Sequence, residues 1–198
     1  ENSIIYNNDV VAERVQTIEV QERILLKSDF TLPIGEHSRF ELGYNGRFSN
    51  NMTDYTLEFA EDDTFVLDTD VSNTLIYKED VNAFYSQYGS KLKDRFSFLL
   101  GLRMESTRVT IQQLRGNEYT NTNYVGLFPT VNLGYEFSDT QSLTLGYNRR
   151  ISRPRSRFLN PFPSRSSATN LFQGNPNITP SYSDGFDIGY LNKFDVLT

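Results

Sequence analysis

Apolar and polar residues alternate with a period of two along most of this chain, the signature of β-strands with one greasy and one wet face. Seven strands are predicted, most of ten residues or more. The first, roughly 19–32, sets Ile24, Leu26, Phe30 and Leu32 against Arg23, Lys27, Asp29 and Thr31. The second, about 39–59, sets Phe40, Leu42, Tyr44 and Phe48 against Glu41, Gly43, Asn45 and Arg47. The third, about 75–90, carries Tyr77, Val81, Ala83 and Tyr85 on one parity. The fourth, 95–112, opposes Phe96, Phe98, Leu100, Leu102 and Met104 to Ser97, Gly101, Arg103 and Glu105, with Leu99 breaking the polar parity. The fifth, about 124–137, the sixth, 142–152, and the seventh, about 182–193, repeat the scheme with Val131, Leu133 and Tyr135, with Leu143, Leu145 and Tyr147, and with Phe186, Ile188 and Tyr190. Residues 1–18 read as a polar loop or terminal segment.

Glycine punctuates the polar parity. An aliphatic-Gly-Tyr triplet occurs four times, at Leu42-Gly43-Tyr44, Leu133-Gly134-Tyr135, Leu145-Gly146-Tyr147 and Ile188-Gly189-Tyr190, and Leu100-Gly101-Leu102 is a near relative. Glycine weakens a strand unless a ligand or another backbone comes close to that face. Gly43, Gly101, Gly134, Gly146 and Gly189 are therefore expected on one face, where they either admit a neighbouring chain or ease strand curvature. Gly134 and Gly146 lie equally far from residue 140 and are expected to be near neighbours across one hairpin.

Connections near 33–38, 91–94 and 138–141 are short, whereas those near 60–73, 113–123 and 153–181 are long. Short turns on one side and long loops on the other are the habit of transmembrane barrels. A soluble sandwich would need a second apolar sheet to cover the greasy face, and its strands average ~5–6 residues. The expected fold is all-β, an antiparallel up-and-down transmembrane β-barrel segment, with Phe, Leu and Tyr toward lipid and the polar parity lining the interior. The long connection 153–181 is expected to be an extracellular loop.

Composition narrows the chemistry. The net charge of −6 argues against a nucleic-acid partner. The absence of cysteine removes thiolate chemistry, and the single histidine, His37, sits in a turn sequence, so no metal site, cofactor or His-based catalysis is expected. The chain holds no run of ~18 apolar residues for a transmembrane helix, which a barrel does not need. Glu61-Asp62-Asp63 lacks the ordered spacing of a Ca²⁺ loop and reads as solvated. Glu105 and Glu136 are conceivable as a carboxylate pair, but nothing in the sequence fixes their separation, and no enzymatic activity is expected. Arg149, Arg150, Arg153, Arg155, Arg157 and Arg165 stand out in an acidic chain. They suit either an anion-attracting outer mouth, for substrate or lipopolysaccharide phosphates, or a solvated loop paired with acidic loops; the second is the favoured expectation. The candidate interior or outer-mouth ligand contacts are Arg103, Glu105, Arg150, Arg153 and Arg155.

The segments Asn148-Arg149-Arg150-Ile151-Ser152-Arg153-Pro154, Leu159-Asn160-Pro161-Phe162 and Gly174-Asn175-Pro176-Asn177-Ile178-Thr179-Pro180 form the most specific stretch. It resembles the mid-barrel signature of TonB-dependent outer-membrane receptors, in the branch described as the outer-membrane protein β-barrel family. Leu99 to Thr107, Leu127-Phe128-Pro129-Thr130 and Ser28 to Pro33 fit the same pattern, so the resemblance covers about 20–192. It implies a barrel of about 22 strands, occluded by a plug domain and importing a scarce nutrient of the siderophore, cobalamin or oligosaccharide class. The partners it implies are outer-membrane lipid and lipopolysaccharide, the plug and remaining barrel of the same protein, the TonB complex, and a surface lipoprotein. About seven strands are too few to close such a barrel, so the chain is expected to be a plugless fragment, 1–198, of a larger wall. A non-transporting structural or adhesive barrel and a soluble β-sandwich binding module are the alternatives.

Overall fold

A computed structural model describes residues 2–6, 9–62, 64–167 and 170–194. The strands are β1 (Asn2–Tyr6), β2 (Asp9–Ile34), β3 (Ser38–Glu61), β4 (Thr64–Leu67), β5 (Asn73–Leu92), β6 (Phe96–Gln113), β7 (Glu118–Ser138), β8 (Gln141–Ser152), β9 (Ser164–Ser167), β10 (Asn170–Phe172) and β11 (Ser181–Asn192). A single helical turn, α1 (Ser156–Leu159), follows β8. One nine-stranded sheet runs β1-β2-β3-β5-β6-β7-β8-β11 with β4 beside β3, while β9 and β10 form a separate small hairpin. Pairing is antiparallel throughout and between consecutive long strands, which curl into a half-barrel.

The convex face follows the alternation. On β6 it carries Phe96, Phe98, Leu100, Leu102 and Met104, a nine-residue stretch that matches the ~9–11 residues a tilted strand needs to cross a bilayer. On the same face the strand then turns polar, with Ser106, Arg108, Thr110 and Gln112, so it continues beyond the apolar band. The band passes to the neighbours in register: Leu100 stands opposite Tyr88 and Val131, and Leu133 opposite Phe98 and Leu145. Among the described residues no second sheet covers it. Leu127 is 54% exposed and Ile188 80%. An uncovered apolar surface of this extent is a lipid surface, since a soluble domain rarely shows patches beyond a few hundred Å². The sandwich alternative fails on that observation.

Three expectations need correction. Tyr77, Val81, Ala83 and Tyr85 lie on the concave face, opposite Ile111, Thr107, Glu105 and Arg103; the convex side of β5 shows Phe84 and Tyr88. Tyr77 joins an apolar cluster on the concave face, while Val81, Ala83 and Tyr85 sit among its polar rungs, so parity alone could not tell inside from outside. Residues 9–18 belong to β2 and Asn2–Tyr6 form β1, because β2 stays paired with β3 out to Glu13↔Phe59. The connection at 113–123 shrinks to the turn at 114–117, since β7 already begins at Glu118. At 14–18 and 118–123 side chains of both parities are exposed or half-buried, and a strand wetted on both faces shows no alternation. Gly134 and Gly146 are near neighbours on one face as expected, but diagonally: Gly134 stands opposite Thr144 and Gly146 opposite Asn132, because an irregularity between Glu136 and Ser138 offsets the register.

The β7–β8 ladder stops at Thr130↔Asn148, one residue short of Pro129, which has no N–H to donate. Beyond it β8 continues only with β11, up to Ser152↔Ser181. The top of this hairpin swings inward: Tyr182 on β11 stacks on Phe128 of β7, ring centroids 6.2 Å apart. Phe128 belongs to the concave face, opposite Arg103.

Candidate functional site

The concave wall of β3, β5, β6 and β7 aligns polar side chains in rungs. One rung is Arg47, Val81, Thr107 and Tyr124; the next is Asn45, Ala83, Glu105 and Gly126; a third is Gly43, Tyr85, Arg103 and Phe128. Charges pair from rung to rung, diagonally between strands or along one. Arg47 Nη2 donates to Glu79 Oε2 at 3.0 Å, and Arg103 Nε to Glu105 Oε1 at 2.5 Å. Arg153, beyond the end of β8, reaches over β7 to join them. Its Nη2 donates to Glu105 Oε2 and to Thr107 Oγ1, the latter at 3.0 Å, and its Nε lies 4.0 Å from Glu79 Oε1. The guanidinium also sits 6.0 Å from the centre of the Tyr124 ring.

The Arg153 and Glu105 side chains are only 16% and 9% exposed. Burial disfavours the arginine's charge, but the Glu105 hydrogen bond and charge more than offset it and hold its pKa above the ordinary value. Tyr77 donates to Glu79 Oε1 at 3.4 Å.

Above this cluster the segment after β8 folds onto the wall. Leu159 from α1 is buried against Leu75, Tyr77, Val109 and Ile111, with Tyr124 packed alongside. The returning arm is stitched to the outgoing one by Gly174 N–H to Asn160 O (2.7 Å) and Asn175 N–H to Phe158 O (2.8 Å). A Cβ on Gly174 would lie 2.5 Å from the Phe158 carbonyl oxygen, so only glycine allows this approach. Of the expected solvated extracellular loop, the arms carrying Arg153, Leu159 and Pro176 to Pro180 thus fold against the concave wall.

The structure brings Arg103, Glu105 and Arg153 together and leaves the other candidates apart. Arg150 is exposed near the top of β8, and Arg155 is exposed at the N-terminus of α1. Arg149 is on the convex side with Asp184 at 3.9 Å, and Arg157 lies over the Phe172 ring at 4.6 Å. The Arg165 side chain and Asp63 lie outside the described residues. The favoured pairing of this arginine run with Glu61-Asp62-Asp63 is overturned for Arg153, whose acidic partners are Glu105 and Glu79. Glu136 pairs instead with Lys91 at 3.1 Å, near the short turns, ten residues along β7 from the position facing Glu105. At ~3.3 Å per residue that is some 30 Å, far beyond a catalytic carboxylate pair. Among the described residues no group of three His, Cys, Asp or Glu side chains is placed to hold a metal ion. Sequence reading missed Glu79, Thr107 and Tyr124 as members of the cluster. The available signal was that Arg47 and Glu79 share the concave parity on paired strands.

All five marked glycines face the concave side, and neighbours fill most of the gaps. The Tyr85 ring lies over Gly43, where an added Cβ would be 2.5 Å from Tyr85 Cε1 and 2.7 Å from the Ser28 carbonyl oxygen. Tyr85 then donates to Asp29 Oδ1 at 2.6 Å. Gly189 leaves room for Thr144, and Gly101 lies between Gln87 and Thr130. Gly134 and Gly146, with Ser97, Asn132, Thr144 and Asp187, leave a hollow of about 370 Å³ in the wall.

A curled antiparallel sheet with a lipid-facing convex side and a charged, hydrogen-bonded concave side is a wall segment of a transmembrane β-barrel. The family comparison agrees over the full length. The chain belongs to the outer membrane protein beta-barrel family, whose model matches residues 1–198, and its place is the outer membrane. No curated protein matches the sequence. Among solved structures it is similar to the ferric citrate transporter FecA in its unliganded form, at 15% identity and a TM-score of 0.45, over 72% of this chain and 21% of that one. The chain thus spans about a fifth of the length of that transporter.

Proposed function

We propose that this chain is part of the barrel wall of a TonB-dependent outer-membrane receptor that imports a scarce nutrient of the siderophore, cobalamin or oligosaccharide class, without catalysing a reaction. The observation that carries the reading is the concave face. A structural barrel also has a polar interior, but it has no need of a segment folded across it. Here the interior is built with equal care, from the ion-paired rungs at Arg47, Glu79, Arg103 and Glu105 to the segment folded over them. The motif resemblance at Asn148–Pro154 and Gly174–Pro180 supplies the transport class. The remaining barrel, a plug, the TonB complex and a surface lipoprotein are the partners this reading assigns.

The test is a strain lacking the parent gene, grown with a ferric siderophore, cobalamin or an oligosaccharide as the limiting source, with and without TonB. The reading expects one source to support growth only when the gene and TonB are both present. Equal growth on all three in all strains would leave a structural or adhesive barrel as the better account.

A further inference from the structure

The inward fold after β8 is anchored by two unlike contacts. One is apolar, Leu159 in the Leu75, Tyr77, Val109 and Ile111 pocket. The other is ionic, Arg153 on Glu105, Thr107 and Glu79. Both bear on β5 and β6, across the concave face of the intervening β7, so the two arms, 153–160 and 174–180, lie over the interior rather than above the rim. The means of their crossing is also visible. Pro129 ends the β7–β8 ladder, freeing the top of the β8–β11 hairpin from the wall, and Tyr182 stacks on Phe128 where the hairpin bends inward. A segment cut loose from the ladder and held by side chains can leave without unfolding the sheet.

We propose that these two arms form a strap that narrows the barrel interior, with Arg153 as the latch that keeps it seated. The charges favour an ionic latch over a permanent tie. Glu105 is shared between Arg103 and Arg153, and Glu79 between Arg47 and Arg153. When Arg153 withdraws, each carboxylate keeps a wall arginine, so release leaves neither acid unpaired. Removing a partner from an ordinary buried pair strands a charge and is strongly unfavourable. The strap's departure avoids that penalty on the wall side.

The test uses the full-length protein in lipid vesicles carrying Val109→Cys, a position buried beneath Leu159, with labelling by a water-soluble maleimide added outside as the probe; the readout depends neither on import nor on the plug. Correct folding of every variant is checked by its unchanged shift in gel mobility on heating. Arg153→Met is expected to raise the labelling rate several-fold and to speed trypsin cleavage at Arg155 and Arg157 about tenfold or more. Arg153→Lys, which keeps the charge but not the forked geometry, should recover part of both effects. Labelling and cleavage both unchanged in Arg153→Met would overturn the proposal. Faster cleavage with unchanged labelling at 109 would overturn the narrowing while leaving the latch.

Discussion

Val131 and Thr130 are adjacent on β7 yet should respond in opposite ways to the same substitution. Val131 lies midway along the apolar stretch from Val125 to Phe137, on the convex face between Leu100 and Tyr147. Thr130 points to the concave side, between Asn148 and Gly101, whose missing side chain leaves space. An arginine at the bilayer midplane costs roughly 2–4 kcal/mol, while interior changes are tolerated. At tenfold per ~1.4 kcal/mol, Val131→Arg should lower the folded-to-unfolded ratio by about thirty- to several-hundredfold. Thr130→Arg should change it by less than about threefold. Urea titration of the full-length protein in lipid vesicles, followed by its heat-modifiable gel mobility, measures both. Equal destabilisation at the two positions would refute the assignment of solvents to faces. Leu145→Arg, four residues from the short turn, should cost less than Val131→Arg because arginine there can reach the interface.

Three further outcomes follow from the concave face. Gly43→Val should destabilise the sheet by about 1–3 kcal/mol, since its branches would meet the Tyr85 ring and the Ser28 carbonyl; Gly43→Val with Tyr85→Ala, read by the same titration, should recover only the part due to the ring. Leu159→Ala should weaken the strap by about 2–5 kcal/mol while leaving the barrel's own midpoint unchanged, visible as faster hydrogen exchange confined to the arms, at Phe158, Gly174, Asn175 and Ile178. Glu105→Gln should loosen the strap strongly, whereas Lys91→Ala should cost at most about 1 kcal/mol, because the Lys91–Glu136 pair is largely exposed.

The legibility of the fold tracked the bilayer. Phe96 to Met104 and Val131 to Tyr135 announced both strand and face, because lipid on one side and water on the other enforce period two. The strands ran on unseen where both faces are wet, as at 14–18 and 118–123. Tyr77, Val81 and Ala83 misled for other reasons: Tyr77 lies in a second apolar environment beneath the strap, and Val81 and Ala83 are small apolar residues buried between polar rungs, so both mimic the lipid-facing parity. Of the site, Arg103, Glu105 and Arg153 were named from the sequence, but their meeting was not. That depends on Pro129 ending a ladder and on a chain crossing β7, which no local pattern encodes. The glycines were placed on the correct face, and Tyr85 over Gly43 shows what a sequence cannot: which neighbour takes the space.

The central claim is that the convex face meets lipid and the concave face meets water. Single cysteines at 97 to 104 of β6, in a chain with none of its own, carry a spin label for power-saturation measurements against oxygen and a water-soluble nickel chelate. The account predicts period-two behaviour, with labels at 98, 100, 102 and 104 oxygen-accessible and labels at 97, 99, 101 and 103 favouring the chelate. A uniform profile, or the reverse phase, would contradict it.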